Sequence, residues 1–217
     1  MISIAEAVAE LVKQSPLLEE GLSRNLMNIS AVARDMKPRV EQRVFKDVTE
    51  GAVVMALQRL STTLPSQDRS SKVFQGVPDM VIRSNLFEVT LGNSPSLLDK
   101  QQQLLTLAVS YRNKYFLTIT SGVFETTIIA SNALHEKITA ILEGETILSE
   151  IPSLSSVTIR LSESILAIPG SYAQILKFMA WEGINIIEVV STYLELTVVL
   201  KQDEADRAFS VLKNAFK

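Results

Sequence analysis

Two short segments near the C-terminus carry residue types suited to recognising a small charged molecule: Ile168-Pro169-Gly170-Ser171-Tyr172 and Asn185-Ile186. Gly170 accepts unusual dihedrals and lets a ligand approach the backbone, and a helix is expected to open directly behind it. The first amides of such a helix have no internal partners and carry the positive end of its dipole, which suits a carboxylate. Asn185, expected at a strand entry, offers a donor and an acceptor to the charged ends of an amino acid. The plain structural alternative is a tight turn at Pro169-Gly170 and a strand end at Asn185.

A set for catalysis or metal binding is not expected. His135 is the only histidine, placed on a helix beside Glu136, and a triad or metal site needs several convergent groups. The pairs Glu19-Glu20 and Glu143/Glu145 imitate catalytic carboxylates but read as solvated helix ends and loop charges. Trp181, near Phe178 and Met179, reads as core or interface packing. The eight glycines never cluster, so no glycine-rich loop can cradle a phosphate. The expectation is a protein with no cofactor.

Basic residues make a second candidate. Arg34, Lys37, Arg39, Arg43 and Lys46 fall within one short segment, and Arg59 ends a later helix. Arg34, Lys37, Arg39, Arg43 and Arg59 would serve a helix-turn-helix face on nucleic acid. Asp35 and Glu41 interleave with them, so the electrostatic footprint is thin. No wing hairpin precedes the following linker. A helical dimerisation or partner-docking module is the favoured reading.

The whole chain sets the bounds. Its 217 residues carry a net charge of -3, which gives no general pull towards nucleic acid or anionic membrane. A hydrophobic fraction of 47% supports a packed core. With no cysteine, disulfides and thiolate sites are excluded and a reducing cytoplasm is expected. The opening Met1-Ile-Ser-Ile-Ala-Glu-Ala, with an early acid and no basic leader, is not expected to be a signal peptide, and no apolar run is long enough for a membrane span.

The elements that must position these residues follow from periodicity. Ile4, Val8, Leu11 and Val12 make one helical stripe. Ser15-Pro16 opens a second helix with Leu18, Leu22 and Leu26 inward. Asn28 caps a third with Ile29, Val32, Ala33 and Met36, and Pro38 is expected to restart or kink the chain. Thr49 caps a fourth carrying Val53, Val54, Leu57 and Leu60. From Ser61 the polar run Ser-Thr-Thr-Leu-Pro-Ser-Gln-Asp-Arg-Ser-Ser reads as linker. Phe87, Val89 and Leu91 then alternate as a strand. A helix over 96–109, strands over 116–120 and 126–130 joined at Gly122, and a helix over 133–142 follow. The same βαββα order recurs over the last sixty residues. The fold class is α+β: an all-helical module (1–62), a linker (63–79), and two similar units (80–150 and 151–217).

Pro169-Gly170, Gly183-Ile-Asn-Ile186, Val190-Ser-Thr192 and the terminal Ala208-Phe-Ser-Val-Leu-Lys-Asn-Ala-Phe216 resemble an ACT domain, the small ferredoxin-like βαββαβ module of metabolic regulation. More narrowly they resemble the regulatory end of aspartokinases. Leu86-Phe-Glu-Val-Thr-Leu91 and Thr120-Ser-Gly-Val-Phe-Glu-Thr-Thr127 are similar to the first domain of that tandem. The resemblance spans roughly residues 80–217. It implies amino-acid binding at an interface between paired domains, with Ile168 to Tyr172, Asn185 and Ile186 at the site. The kinase half is missing, since nothing resembles its Lys-Phe-Gly-Gly signature. The middle unit departs from the pattern: Gly92-Asn-Ser-Pro-Ser96 leads into the polar Leu97-Leu-Asp-Lys-Gln-Gln-Gln103.

The resulting expectation is a non-catalytic homodimer that senses an amino acid and reports through the helical module to DNA or a partner enzyme. The alternative is a ligand-free dimerisation protein. Tyr193, Leu194, Leu196 and Val198 are expected on strand segments that could pair across copies.

Overall fold

Helix ends in the first part of the chain are fixed by side chains that satisfy otherwise orphaned amides. In the computed structural model, which describes residues 2–64, 78–111 and 114–216, four helices precede the first strand. Helix α1 (Ile4–Lys13) opens with a reciprocal box: the Glu6 amide donates to Ser3 Oγ at 3.2 Å and the Ser3 amide to Glu6 Oε2 at 2.8 Å. Helices α2 (Pro16–Ser23), α3 (Ile29–Val44) and α4 (Glu50–Thr63) are capped by Ser15, Asn28 and Thr49, each accepting an amide from its helix's first turn. Ala7, Val8, Leu11, Leu22, Ala33, Met36, Val40, Val53 and Leu57 are among their buried residues.

Two expectations are corrected. Pro38 neither restarts nor ends α3, which runs on to Val44. The proline forfeits one intrahelical bond, but Ala33, Met36, Val40 and Val44 keep a continuous buried stripe across it. Leu26 is not on the inner face of α2 and is 67% exposed. The helix closes at Ser23 because Asn25 turns left-handed, and the Leu26 amide folds back to Gly21 O at 2.8 Å.

The chain divides into two compact units, Met1–Arg69 and Ser70–Lys217. Of the expected linker 63–79, Thr63 ends α4 and residues 65–77 lie outside the described residues.

The second unit is built on one six-stranded antiparallel sheet. Its strands are β1 (Met80–Gly92), β2 (Leu117–Ser121), β3 (Glu125–Ser131), β4 (Ile147–Arg160), β5 (Glu188–Ser191) and β6 (Glu195–Lys201). Their spatial order is β2-β3-β1-β4-β6-β5. The long strands β1 and β4 lie side by side at the centre, with Leu86 opposite Leu154. Beyond that pair, β1 continues through Gly92 beside β3, and β4 continues through Arg160 beside β6. Register shifts flank Leu86, and Asn85 and Ser153 adopt left-handed backbone there (φ 59° and 57°). Each strand is thus bent at an equivalent point, as bulges bend strands. A cut between residues 150 and 151 would fall inside β4.

The repetition extends to side chains. Thr90 and Thr127 hydroxyls meet at 3.0 Å across β1 and β3, and Thr158 and Thr197 meet at 2.8 Å across β4 and β6. The turn before β3 is closed by Gly122 N–H to Glu125 O, and that before β6 by Thr192 N–H to Glu195 O.

Helices α5 (Leu97–Ser110) and α6 (His135–Ile141) cover Phe87, Val89, Leu91, Ile128 and Ala130 on one face. Helices α7 (Ser171–Trp181) and α8 (Ala205–Ala215) cover Val157, Ile159, Leu196, Val198 and Leu200. On the opposite face Leu86, Ile129, Leu154 and Val199 cluster with Phe116, Ile151, Ile187 and Val190. The cluster runs along that face from beside β2 to β5 through successive neighbouring strands. Leu196 and Val198 are therefore core residues of an interior strand; the outer strands are β2 and β5. Trp181 is not core either: it is 69% exposed, edge-on to Phe178, with Lys177 Nζ 4.4 Å from its ring. Among the described residues no helix is long and apolar enough to cross a membrane.

Candidate functional site: the turns that open α7 and α5

Beyond β4 the chain makes a short 3-10 turn (Glu163–Ala167) and enters α7 through Gly170, whose φ of 78° puts it in the left-handed region. A Cβ there would meet no atom within 4 Å, so the backbone angle, not crowding, is what calls for glycine. The Ser171 amide donates to Ile168 O at 3.3 Å and the Gln174 amide to Gly170 O at 3.0 Å. The intervening amides of Tyr172 and Ala173 have no backbone acceptor among the described residues, and no side chain caps the helix. No acid occupies the first turn. Pro169 and Gly170 are exposed, Ser171 is buried, and Ile168, Tyr172 and Ile186 pack half-buried against the adjoining core. The result is an open turn with positive dipole character over an apolar floor.

Asn185 is exposed and lies before β5, which starts only at Glu188. Gly183, left-handed at φ 66°, closes α7, and the Ile184 amide returns to Met179 O at 2.9 Å. Asn185 thus follows the far end of α7. An eleven-residue helix, about 16 Å long, separates it from Gly170, so one chain does not bring the two predicted parts together through this element.

At the turn that opens α5 an acid from elsewhere in the chain is held by side chains, while the Leu98 and Asp99 amides have no backbone acceptor among the described residues. Ser94 Oγ donates to Glu145 Oε2 at 2.5 Å, Ser96 Oγ to Glu145 Oε1 at 2.7 Å, and Lys100 Nζ lies 3.2 Å from Oε1. The Glu145 side chain is only 2% exposed. Ser94, then Ser96, then Lys100 hold its carboxyl below the usual carboxylate range. The expectation of a solvated loop charge is corrected for Glu145. The residues around Ser94 gave no sign of it, because the acid arrives from the connection between α6 and β4.

A second acid is out of the ordinary. Glu88 in β1 is 6% exposed, and its Oε2 has no hydrogen-bond partner among the described residues. Burial, and secondarily the charge of Glu188, push its carboxyl up. Burial, then Glu125, does the same to Glu188. His135 donates or accepts at 2.7 Å with Glu150 and meets the Phe87 ring edge-on. No group of three or more potential metal ligands occurs among the described residues.

The basic residues of the helical unit are mostly paired locally. Arg34 meets Glu50 at 3.4 Å, Lys37 meets Glu41 at 3.5 Å, and Arg43 meets Glu10 at 2.5 Å while donating to Gln14 at 3.0 Å. Arg39 and Arg59 are exposed. Arg59 borders an apolar groove of about 440 Å³ with Ile4, Met55 and Leu60. Local neutralisation leaves little unopposed positive charge on this unit.

Comparison with known proteins bears on the whole arrangement. No protein-family model matches the sequence, and no curated protein sequence matches it. Solved structures do. The ligand-free regulatory subunit of aspartate kinase from Thermus thermophilus superposes with a TM-score of 0.53 at 17% identity, covering 66% of this chain and 99% of that one. Over about two thirds of its length the chain shares the fold of aspartate kinase regulatory regions. The regulatory subunit from Thermus flavus gives a TM-score of 0.51 at 15% identity over 66% of this chain and all of that one. Clostridium acetobutylicum aspartate kinase, described as an allosteric enzyme, gives 0.54 at 16% identity. The chain spans only 36% of that enzyme's length. The ACT-like resemblance read from Pro169-Gly170 and Gly183-Ile-Asn-Ile186 agrees with this fold.

Proposed function

We propose that the protein is a non-catalytic regulator whose ACT-like sheet binds an amino acid through the open turn at Gly170. The observation that carries this reading is the contrast between two helix openings. Among the described residues, the Leu98 and Asp99 amides that open α5 are as free of backbone acceptors as those of Tyr172 and Ala173. But α5 carries Asp99 in its first turn and the Glu145 carboxylate on its Ser94 and Ser96 hydroxyls, whereas α7 opens behind a left-handed glycine with no acid in its first turn. A ligand carboxylate would take the amides of Tyr172 and Ala173, while Ile168 and Tyr172 line its side-chain end and Ile186, next to Asn185, comes with it from the second copy. Asn185 would complete the site from a second copy, which makes the binding unit a homodimer and gives the ligand an arrangement of chains to favour.

In this reading the helical unit transmits the signal to a partner. A partner protein fits better than DNA, because the bases Arg34, Lys37 and Arg43 are already paired with acids. Kinase chemistry is not part of the proposal. The test is equilibrium dialysis of the full chain against labelled amino acids, repeated with Asn185→Ala and with Gly170→Val. Saturable binding weakened at least tenfold by either change supports the assignment; binding indifferent to both removes it.

The second reading, a ligand-free dimerisation protein, is favoured by the outer strands β2 and β5, each paired on one side only within the sheet. It predicts a tight dimer with no response to amino acids.

A further inference from the structure

Two hydroxyls and one ammonium group converge on a single buried carboxylate at the start of α5. Ser94 and Ser96 each donate to a different oxygen of Glu145, and Lys100 adds the opposite charge at 3.2 Å. Lys100 also donates to the Glu143 carbonyl, which fixes its ammonium beside the acid. The donors are side chains, so the arrangement is more than an acid lying near a helix end. Both oxygens of the carboxylate are recognised separately, the pattern of a receptor for a planar anion. The acid is remote in sequence, 49 residues beyond Ser96 and 51 beyond Ser94. Its side chain is shielded to 2% exposure, and that of Lys100 to 16%.

We propose that Ser94, Ser96 and Lys100 form a carboxylate-recognition site whose ligand is the chain's own Glu145. The first half of the sheet is therefore permanently self-liganded, and it accepts a free monocarboxylate only when the Glu145 carboxylate is removed. The α7 opening has no such internal acid. A chain with this asymmetry takes at most one external carboxylate by these two turns. The inference stands whether or not the α7 turn takes an amino acid, because it concerns different residues.

The test is chemical rescue of the full chain. Glu145→Ala, Glu145→Gln and the double variant Glu145→Ala/Lys100→Met are melted near neutral pH in acetate or chloride at matched ionic strength. Glu145→Ala is expected to melt about 4 °C or more below the parent, given the loss of charge-assisted bonds in a chain of this size. Acetate should restore part of that loss saturably, while leaving the parent and Glu145→Gln, whose amide still fills the site, unmoved relative to chloride. The double variant should not respond. If Glu145→Ala is unfolded in chloride, acetate should recover its far-ultraviolet circular dichroism. The proposal is overturned if Glu145→Ala melts like the parent, if acetate leaves it unchanged, if acetate moves parent and variant alike, or if rescue survives the loss of Lys100.

Discussion

Glu88 and Glu145 are both shielded acids, and their surroundings drive them in opposite directions. Glu145 has hydroxyls and an ammonium group to stabilise its charge; Glu88 has apolar neighbours and the repulsion of Glu188. For Glu145 the folded pKa lies below its ordinary 4.5. Its contribution is fully present above that value and is lost as pH falls through the folded pKa. For Glu88 the folded pKa lies above 4.5. Its contribution is fully present below 4.5 and is lost as pH rises through the folded pKa. Glu88→Gln should therefore raise the melting temperature at pH 7 and lose that advantage at pH 4, measured by melts at both values. An equal shift at both would show that charge is not the cause. Neither role was legible in the sequence. A strand acid and a loop acid look alike until the fold buries one and a serine pair closes on the other.

At the scale of elements, local signals were clearest where the chain makes its own bonds. Ser15, Asn28 and Thr49 cap the helices they precede, and each accepts the amide expected from its spacing. Stops were harder to read: Pro38 lies within a helix held by its buried stripe, and α2 ends before Leu26 because Asn25 turns left-handed. The long central strands were the largest omission. The alternation at Phe87, Val89 and Leu91 marks only half of β1, because the bulge at Asn85 breaks the period before it. Ser153 makes the equivalent bend in β4. Serine bears a steric cost in left-handed backbone of about 1–2 kcal/mol, and asparagine tolerates it better. Ser153→Gly should relieve part of this and raise the melting temperature by roughly 2 °C, and Asn85→Gly by less. A fall in melting temperature for Ser153→Gly would contradict the bend as a point of strain.

Across the whole molecule, the repeated order of elements was visible in the sequence, but the single sheet that joins them was not. Element order can be read from periodicity; which strands lie side by side depends on contacts across many residues. The Thr90–Thr127 and Thr158–Thr197 pairs show how closely the two halves repeat. The candidate ligand residues were legible only in part. Gly170 marks the open turn, but Asn185 falls beyond the other end of α7. That separation is why the proposed site draws on two copies. Light scattering at micromolar concentration is expected to give a dimer mass, and a strict monomer would remove the source of the second Asn185. The central claim, that the open α7 turn binds an amino acid, is tested most directly by melting the full chain against each of the twenty amino acids. At a hundredfold its dissociation constant, a ligand stabilises by about 2.7 kcal/mol, a rise of roughly 5–10 °C for a chain of this size. The account predicts such a rise for at least one amino acid, lost in Gly170→Val; a flat response across all twenty would contradict it.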